Sequence, residues 1–268
     1  MHLKRWITGL VALPLLIAIL YTGGLWLTLL VAAAALAALL EYNRIVYHQW
    51  DRTLPGPIPV VGLVTIPALC WAAHGGRIDL MLAVLLANFL AAGILSLFSF
   101  GRDARILEIV HKQVQGVLYI PLLLSLLILI RQSPDGFLWI FTLVLAVFGG
   151  DTLAFYTGTF LGRHKLCPSI SPGKTIEGAL GGVGANILAA LIMKPFFGPA
   201  VGWGQLLLYC IGAGIAGQMG DLFESQMKRV SGIKDSGGLL PGHGGMLDRI
   251  DALLFASPVA YLLLRILA

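Results

Sequence analysis

The sequence predicts an all-α, polytopic integral membrane protein, and three observations carry that reading. Hydrophobic residues make up 58% of the 268 residues and charged ones only 12%, against about 25% charged in soluble domains. Mean hydropathy is +0.88. Apolar runs close to the roughly 20 residues that a helix needs to cross a bilayer recur along the whole chain. They leave no stretch for a separate soluble domain, so residues 1–268 read as one integral-membrane domain. Within it, 1–113 holds N-terminal helices that form a lipid-facing wall or an interface, and 114–268 holds the helices and cytoplasmic loops where polar motifs concentrate.

Nine helices are expected, bounded by charge, glycine and proline. The first, roughly 6–22, follows the basic MHLKRW, and IAILYTGG offers no small-residue cleavage site, so it reads as a retained span. Gly23 and Gly24 separate it from the second, 25–43, which stops at Arg44. The third, 57–74, lies between Gly56 and Gly75, and the fourth, 79–99, between Arg77 and Gly101. Lys112 places the fifth at 114–130, closed by Arg131. The sixth, 137–161, ends at Gly162, and the seventh, 177–194, lies between Lys174 and Pro195. The eighth, 204–223, follows Gly202, and the ninth, 252–267, follows a polar run ending at Asp251.

With the N-terminus cytoplasmic, Lys4, Arg5, Arg44, Arg52, Arg102, Arg105, Lys112, Arg163, Lys165, Lys174, Lys228, Arg229, Lys234 and Arg249 fall on the cytoplasmic side. Only Arg77, Arg131, Lys194 and Arg265 fall on the other. That asymmetry obeys the positive-inside rule, supporting nine spans, an N-in, C-out orientation in the inner (cytoplasmic) membrane, and long polar loops facing the cytoplasm. The net charge of +5 then follows from topology, and no nucleic-acid partner is implied. Cys70, Cys167 and Cys210 are far apart with no CxxC pair, so they read as small apolar residues.

Three segments of the C-terminal half break the apolar pattern. In VFGGDTLAFYTGTFLGRHK, Asp151 lies about 20 Å from the outer end of the sixth run. A carboxylate there costs about 2.5–3.5 kcal/mol and must face a cation, a partner or water. It is a functional candidate or a hydrogen-bond anchor between helices. In ISPGKTIEGALGG, Ser171, Lys174, Thr175 and Glu177 gather at a helix start, where free N–H groups attract phosphate. The spacing is not that of a Walker motif, and a solvated cap is the plain alternative. In GDLFESQMKR, Asp221, Glu224, Ser225 and Lys228 recur at i, i+3, i+4 and i+7, on one face of a helix. The two carboxylates and a hydroxyl are half of a hard-cation site, since magnesium takes one or two carboxylates and completes its shell with phosphate and water.

The loop SGIKDSGGLLPGHGG follows, with glycines that let backbone approach a ligand, and MLDRID then brings Asp248, Arg249 and Asp251 to the mouth of the ninth helix. The bland reading is an interfacial loop whose charges pair with one another. His243 stands alone, with nothing like HExxH beside it, and suits a phosphate donor or a structural hydrogen bond better than a metal.

From Ser225 to Asp251 the chain reads SQMKRVSGIKDSGGLLPGHGGMLDRID. This resembles the signature of CDP-diacylglycerol synthases, also called phosphatidate cytidylyltransferases: S-x-apolar-K-R, four residues, K-D-x-G, two residues, L-P-x-H-G-G-apolar-x-D-R-apolar-D. GGDTLAFYTGTFLGRHK and ISPGKTIEG are similar to two further blocks of that family, with Phe155 before Tyr156 and with Gly173 where many members carry lysine. The resemblance covers Gly149 to Asp251 and implies the reaction of CTP with phosphatidic acid to give CDP-diacylglycerol and pyrophosphate. It implies Mg²⁺, with a second cation such as K⁺ beside it, on carboxylates corresponding to Asp221 and Asp248. A homodimer among membrane lipids is also implied.

Taken with the residues' own chemistry, Asp221, Asp248, Lys228, Arg229, Lys234 and Arg249 become the candidates for catalysis. Ser171, Lys174, Thr175, Ser225, Asp235, His243, Gly244 and Gly245 become candidates for binding substrate. Asp221, Asp248, Glu224, Asp251, Asp151 and Glu177 are the candidate metal ligands. Two alternatives stand beside this: a CTP-dependent transferase for another lipid phosphate, and an ion-coupled transporter with Asp151 and Asp221 on the coupling cation. The transporter would want polar residues in both halves, and here they crowd into the second.

Overall fold

The computed structural model describes residues 14–47, 56–101, 105–233, 237 and 244–267. Among them are nine helices: α1 (14–22), α2 (Gly24–Val46), α3 (Ile58–His74), α4 (Ile78–Ser99), α5 (Ile106–Gln132), α6 (Gly136–Leu161), α7 (Ile176–Phe197), α8 (Trp203–Val230) and α9 (Leu247–Leu267). Seven of these, all but α1 and the 17-residue α3, are long and apolar enough to cross a membrane. The protein is thus a predominantly α-helical multi-pass membrane protein, with one addition to the expected all-α architecture. A small antiparallel hairpin, β1 (Lys165–Cys167) and β2 (Ser171–Thr175), pairs Lys165 with Thr175 and Cys167 with Ser171. Several helices also exceed their expected bounds, three of them by five or more residues. α5 starts at Ile106 and not 114, α8 runs on to Val230, and α9 begins at Leu247 and not 252: Lys112 pairs with Glu108 inside α5, Lys228 with Glu224 inside α8, and Glu41 accepts from the first amide of α9.

The residues fall into two compact units, Met1–Gln132 with Val230–Arg249, and Ser133–Arg229 with Ile250–Ala268. In the first, α3 packs against α2, α4 and α5. The buried residues of α2, including Leu27, Val31, Ala35, Ala38, Leu39 and Tyr42, recur at three- and four-residue steps and so share one face. Lys112, the charge expected to precede this helix, is held inside α5. Its ammonium pairs with Glu108 at 2.8 Å and donates to the carbonyl of Val46 at 2.8 Å. The Tyr47 hydroxyl donates to the carbonyl of Ile109, and burial beside Glu108 holds its pKa well above the ordinary phenol range, so it stays a donor. A buried network ties three helices: Gln113 donates to Asn88, Asn88 to Thr65, and Thr65 to the carbonyl of Val61. Midway along α5 the turn widens to a π-helix at Leu118–Leu122, where Pro121 lacks an N–H and crowds the preceding turn. Arg131 closes α1 by donating to the carbonyls of Leu20 and Tyr21.

In the second unit α6 and α7 meet along a seam of small residues, which lets backbones approach where lipid supplies no hydrophobic drive. A Cβ added at Gly178 would lie 2.8 Å from the carbonyl oxygen of Ala154. At the far end of these helices Trp139 packs on Phe197 and Tyr209, with ring centroids 4.4 and 4.8 Å away, and the Tyr209 hydroxyl donates to the Trp139 carbonyl. Cys70 and Cys210 are buried free thiols, as apolar filler should be; Cys167 is half-buried on the hairpin.

The seat of Tyr42 in the first unit offers a check on this packing. A Cβ at Gly116 would stand 2.6 Å from its ring, so Gly116→Val is expected to destabilise the protein by about 1–3 kcal/mol. Thermal unfolding in detergent measures it, and a stability equal to wild type would contradict the contact.

Candidate functional site

The polar residues of the second unit converge on the last turns of α8. Asp221, Glu224, Ser225 and Lys228 share a face as their spacing predicts. The Ser225 hydroxyl donates to Asp221 Oδ1 at 3.5 Å, and Lys228 Nζ lies 2.5 Å from Glu224 Oε2. The Glu224 side chain is only 1% exposed, so this is a buried ion pair and not an open ligand. Lys174, at the end of β2, reaches Asp221 Oδ2 at 2.5 Å. Asp151 of α6 and Asp251 of α9 both lie within electrostatic range of Asp221 and of each other. What brings α9 close is Gly220. A side chain there would meet the main-chain oxygen of Asp251 at 2.5 Å.

The hairpin is what delivers Lys174. Thr175 caps α7, its hydroxyl accepting from the Gly178 N–H at 3.1 Å. Glu177, expected among the metal ligands, instead braces the hairpin's root. Its carboxylate accepts from the main-chain N–H groups of Arg163 and His164, and lies 2.6 Å from His164 Nδ1. Arg229 Nε donates to the carbonyl of Ile170 at 3.2 Å, holding the hairpin's turn near the end of α8. Ser171 sits in β2 opposite Cys167.

In the first unit, Asp248 and Arg249 lie in the first turn of α9. Asp248 Oδ2 accepts from the Gly245 N–H at 2.9 Å, and Gly244 holds a positive φ of 80° where a Cβ would come 3.0 Å from that oxygen. Lys234, Asp235 and His243 lie outside the described residues. A residue that sequence reasoning passed over is Glu41 of α2, whose carboxylate accepts from the N–H groups of Met246 and Leu247. Its only sequence signal is a lone acid near the end of an apolar run.

Asp151, Asp221 and Asp251 stand within electrostatic range of one another in this unit, with the ammonium of Lys174 on Asp221, while Glu224 is taken up by Lys228. That donor set fits a hard divalent cation. Among the described residues no three His, Cys, Asp or Glu side chains gather closely enough to hold an ion by themselves. Magnesium asks for no such cage, since it usually takes one or two carboxylates together with substrate phosphates.

The site of this multi-pass membrane protein thus sets oxygen donors, suited to a cation, beside ammonium groups, suited to an anion. Residues 3–267 match the model of the cytidylyltransferase family, and the chain belongs to that family. Its relatives include proteins named phosphatidate cytidylyltransferase. That of Staphylococcus epidermidis is 36% identical over 267 residues, covering 97% of this chain and 98% of the relative. The Staphylococcus saprophyticus protein is 36% identical over 268 residues and the Staphylococcus aureus one 34% over 267, with the same coverage.

Two outcomes follow from the geometry. Lys228→Met leaves the Glu224 carboxylate without its ammonium and is expected to destabilise the protein by about 3 kcal/mol, with Glu224→Gln restoring part of the loss, as thermal unfolding of the single and double variants would show. Gly220→Val is expected to push α8 from α9 at Asp251 and to lower turnover by at least about tenfold. Steady-state kinetics measures this, and wild-type turnover would contradict the role of the close approach.

Proposed function

We propose that the protein is a phosphatidate cytidylyltransferase, converting CTP and phosphatidic acid into CDP-diacylglycerol and pyrophosphate. The observation that carries this is the whole-length likeness to relatives of that name. The chemistry asks little of a general base, because a phosphate monoester is largely dianionic near neutral pH. One of its oxygens attacks the α-phosphorus of CTP. A new P–O bond forms, the bond from the α-phosphorus to the bridging oxygen breaks, and pyrophosphate leaves with that electron pair.

Both reactants are anions, so the protein's task is to bring them together and neutralise charge. Lys174, Lys228, Arg229 and Arg249 are the described cations suited to hold the phosphates, with Lys234 beside them in sequence. Ser171, Thr175 and Ser225 offer hydroxyls, and Gly244 and Gly245 offer backbone without side-chain obstruction. Lys174 now neutralises Asp221, and an arriving phosphate competes for the same ammonium. Asp221 and Asp248 are proposed to hold Mg²⁺, with Asp251 and Asp151 orienting the cluster and a second cation such as K⁺ beside it. When bound, Mg²⁺ supplies Lewis-acid polarisation of the phosphoryl oxygens. The acyl chains stay in the bilayer while the headgroup enters from the lipid side, and CTP arrives from the cytoplasm at the inner membrane. Assembly as a homodimer belongs to the same proposal.

The test is formation of labelled CDP-lipid from CTP and phosphatidate by the purified protein in mixed micelles. Wild type is expected to turn over, EDTA to abolish turnover and Mg²⁺ to restore it. Asp221→Asn and Asp248→Asn are each expected to lower the rate by at least about a hundredfold. Turnover of a different lipid phosphate, with none of phosphatidate, would show the substrate to be wrong. Full activity in EDTA would remove the metal.

A further inference from the structure

We propose that Glu41 is a positioning residue for the start of α9, and thereby for Asp248 and Arg249. Glu41 is 2% exposed, deep in the first unit. Its Oε1 accepts from the Met246 N–H at 3.0 Å and its Oε2 from the Leu247 N–H at 2.8 Å. The first N–H groups of a helix have no partner within it, and their positive end favours an anion. Here that anion is supplied by α2, about two hundred residues earlier in the chain. A charge-assisted pair of hydrogen bonds is about twice as strong as neutral ones and fixes direction as well as distance.

The tether reaches the functional side chains in two covalent steps. Leu247 directly precedes Asp248, and the Asp248 carboxylate folds back to accept from the Gly245 N–H, next to Met246. The turn from Gly245 to Asp248 is therefore closed from both sides, by Asp248 on its own backbone and by Glu41 on the two amides between. Gly237 crosses the same carboxylate so closely that a Cβ there would stand 2.7 Å from Glu41 Oε1. Gly237 and the amides of Met246 and Leu247 thus meet at one acid of the N-terminal half, the half to which the sequence assigned no chemistry.

The inference rests on the proposed role of Asp248, and the experiment separates the two. Glu41→Gln keeps size and one acceptor while turning the other into a donor that faces an N–H. Gly237→Val keeps the charge and crowds the carboxylate from the loop side. For the full-length protein in detergent, both are expected to lower kcat about 10–100-fold, as loss of a partner that orients a ligand does. KM for CTP should stay within about twofold, showing loss of transition-state positioning rather than of binding. Amide hydrogen exchange should quicken in 244–251 and stay unchanged in α6 to α8.

Unchanged exchange in 244–251, or quickened exchange with wild-type kcat, overturns the proposal. So does a general loss of protection with a matching fall in melting temperature, which marks a merely structural acid. Asp248→Asn is run in parallel. If it keeps wild-type turnover, the role given to Asp248 fails by itself, while locally quickened exchange in Glu41→Gln still supports the tether.

Discussion

A carboxylate carried into an apolar helix bundle has to meet its counter-charge or its donors on the spot, because no water stands by to solvate it. The polar architecture follows from how each acid meets that demand. Glu224 is answered by a lysine one turn along its own helix, Asp221 by a lysine from the hairpin, Glu177 by the hairpin's own backbone, and Glu41 by the start of α9. All but the first of these answers tie two elements at a fixed point. Charge compensation is therefore also the means by which the second unit holds α8, the hairpin and the N-terminus of α7 in register.

The same demand separates acids that have finished their bonding from acids that have not. Glu177 and Glu41 spend their oxygens on main-chain donors. Asp151, Asp221 and Asp251 stand together beside the ammonium of Lys174. Such a cluster is open to a further cation, and the polyphosphate of a nucleotide brings further anionic oxygens that a cation can share.

Much of this was legible before any coordinates. Hydropathy located the nine helices seen among the described residues, 6–13 of the first lying outside them, because an apolar run of membrane length has little else it can be, and the i, i+3, i+4, i+7 recurrence placed Asp221, Glu224, Ser225 and Lys228 on one face. What was not legible has a common cause. The hairpin is only three and five residues long and carries Pro172 and Gly173, so no alternation marks it. The early start of α5 depends on Lys112 finding Glu108 and the Val46 carbonyl, and that of α9 on Glu41. Each is decided by a partner distant in sequence, and periodicity reports only on neighbours.

The bond between Glu41 and α9 spans 205 and 206 residues. During synthesis α2 emerges early, long before the amides that answer its acid exist. Until the last helix is made, that carboxylate has to be kept in water, protonated or provisionally paired. The chain thus holds open, through most of its own assembly, a place that only its final segment can fill, which makes completion of the last helix a condition for settling the first unit.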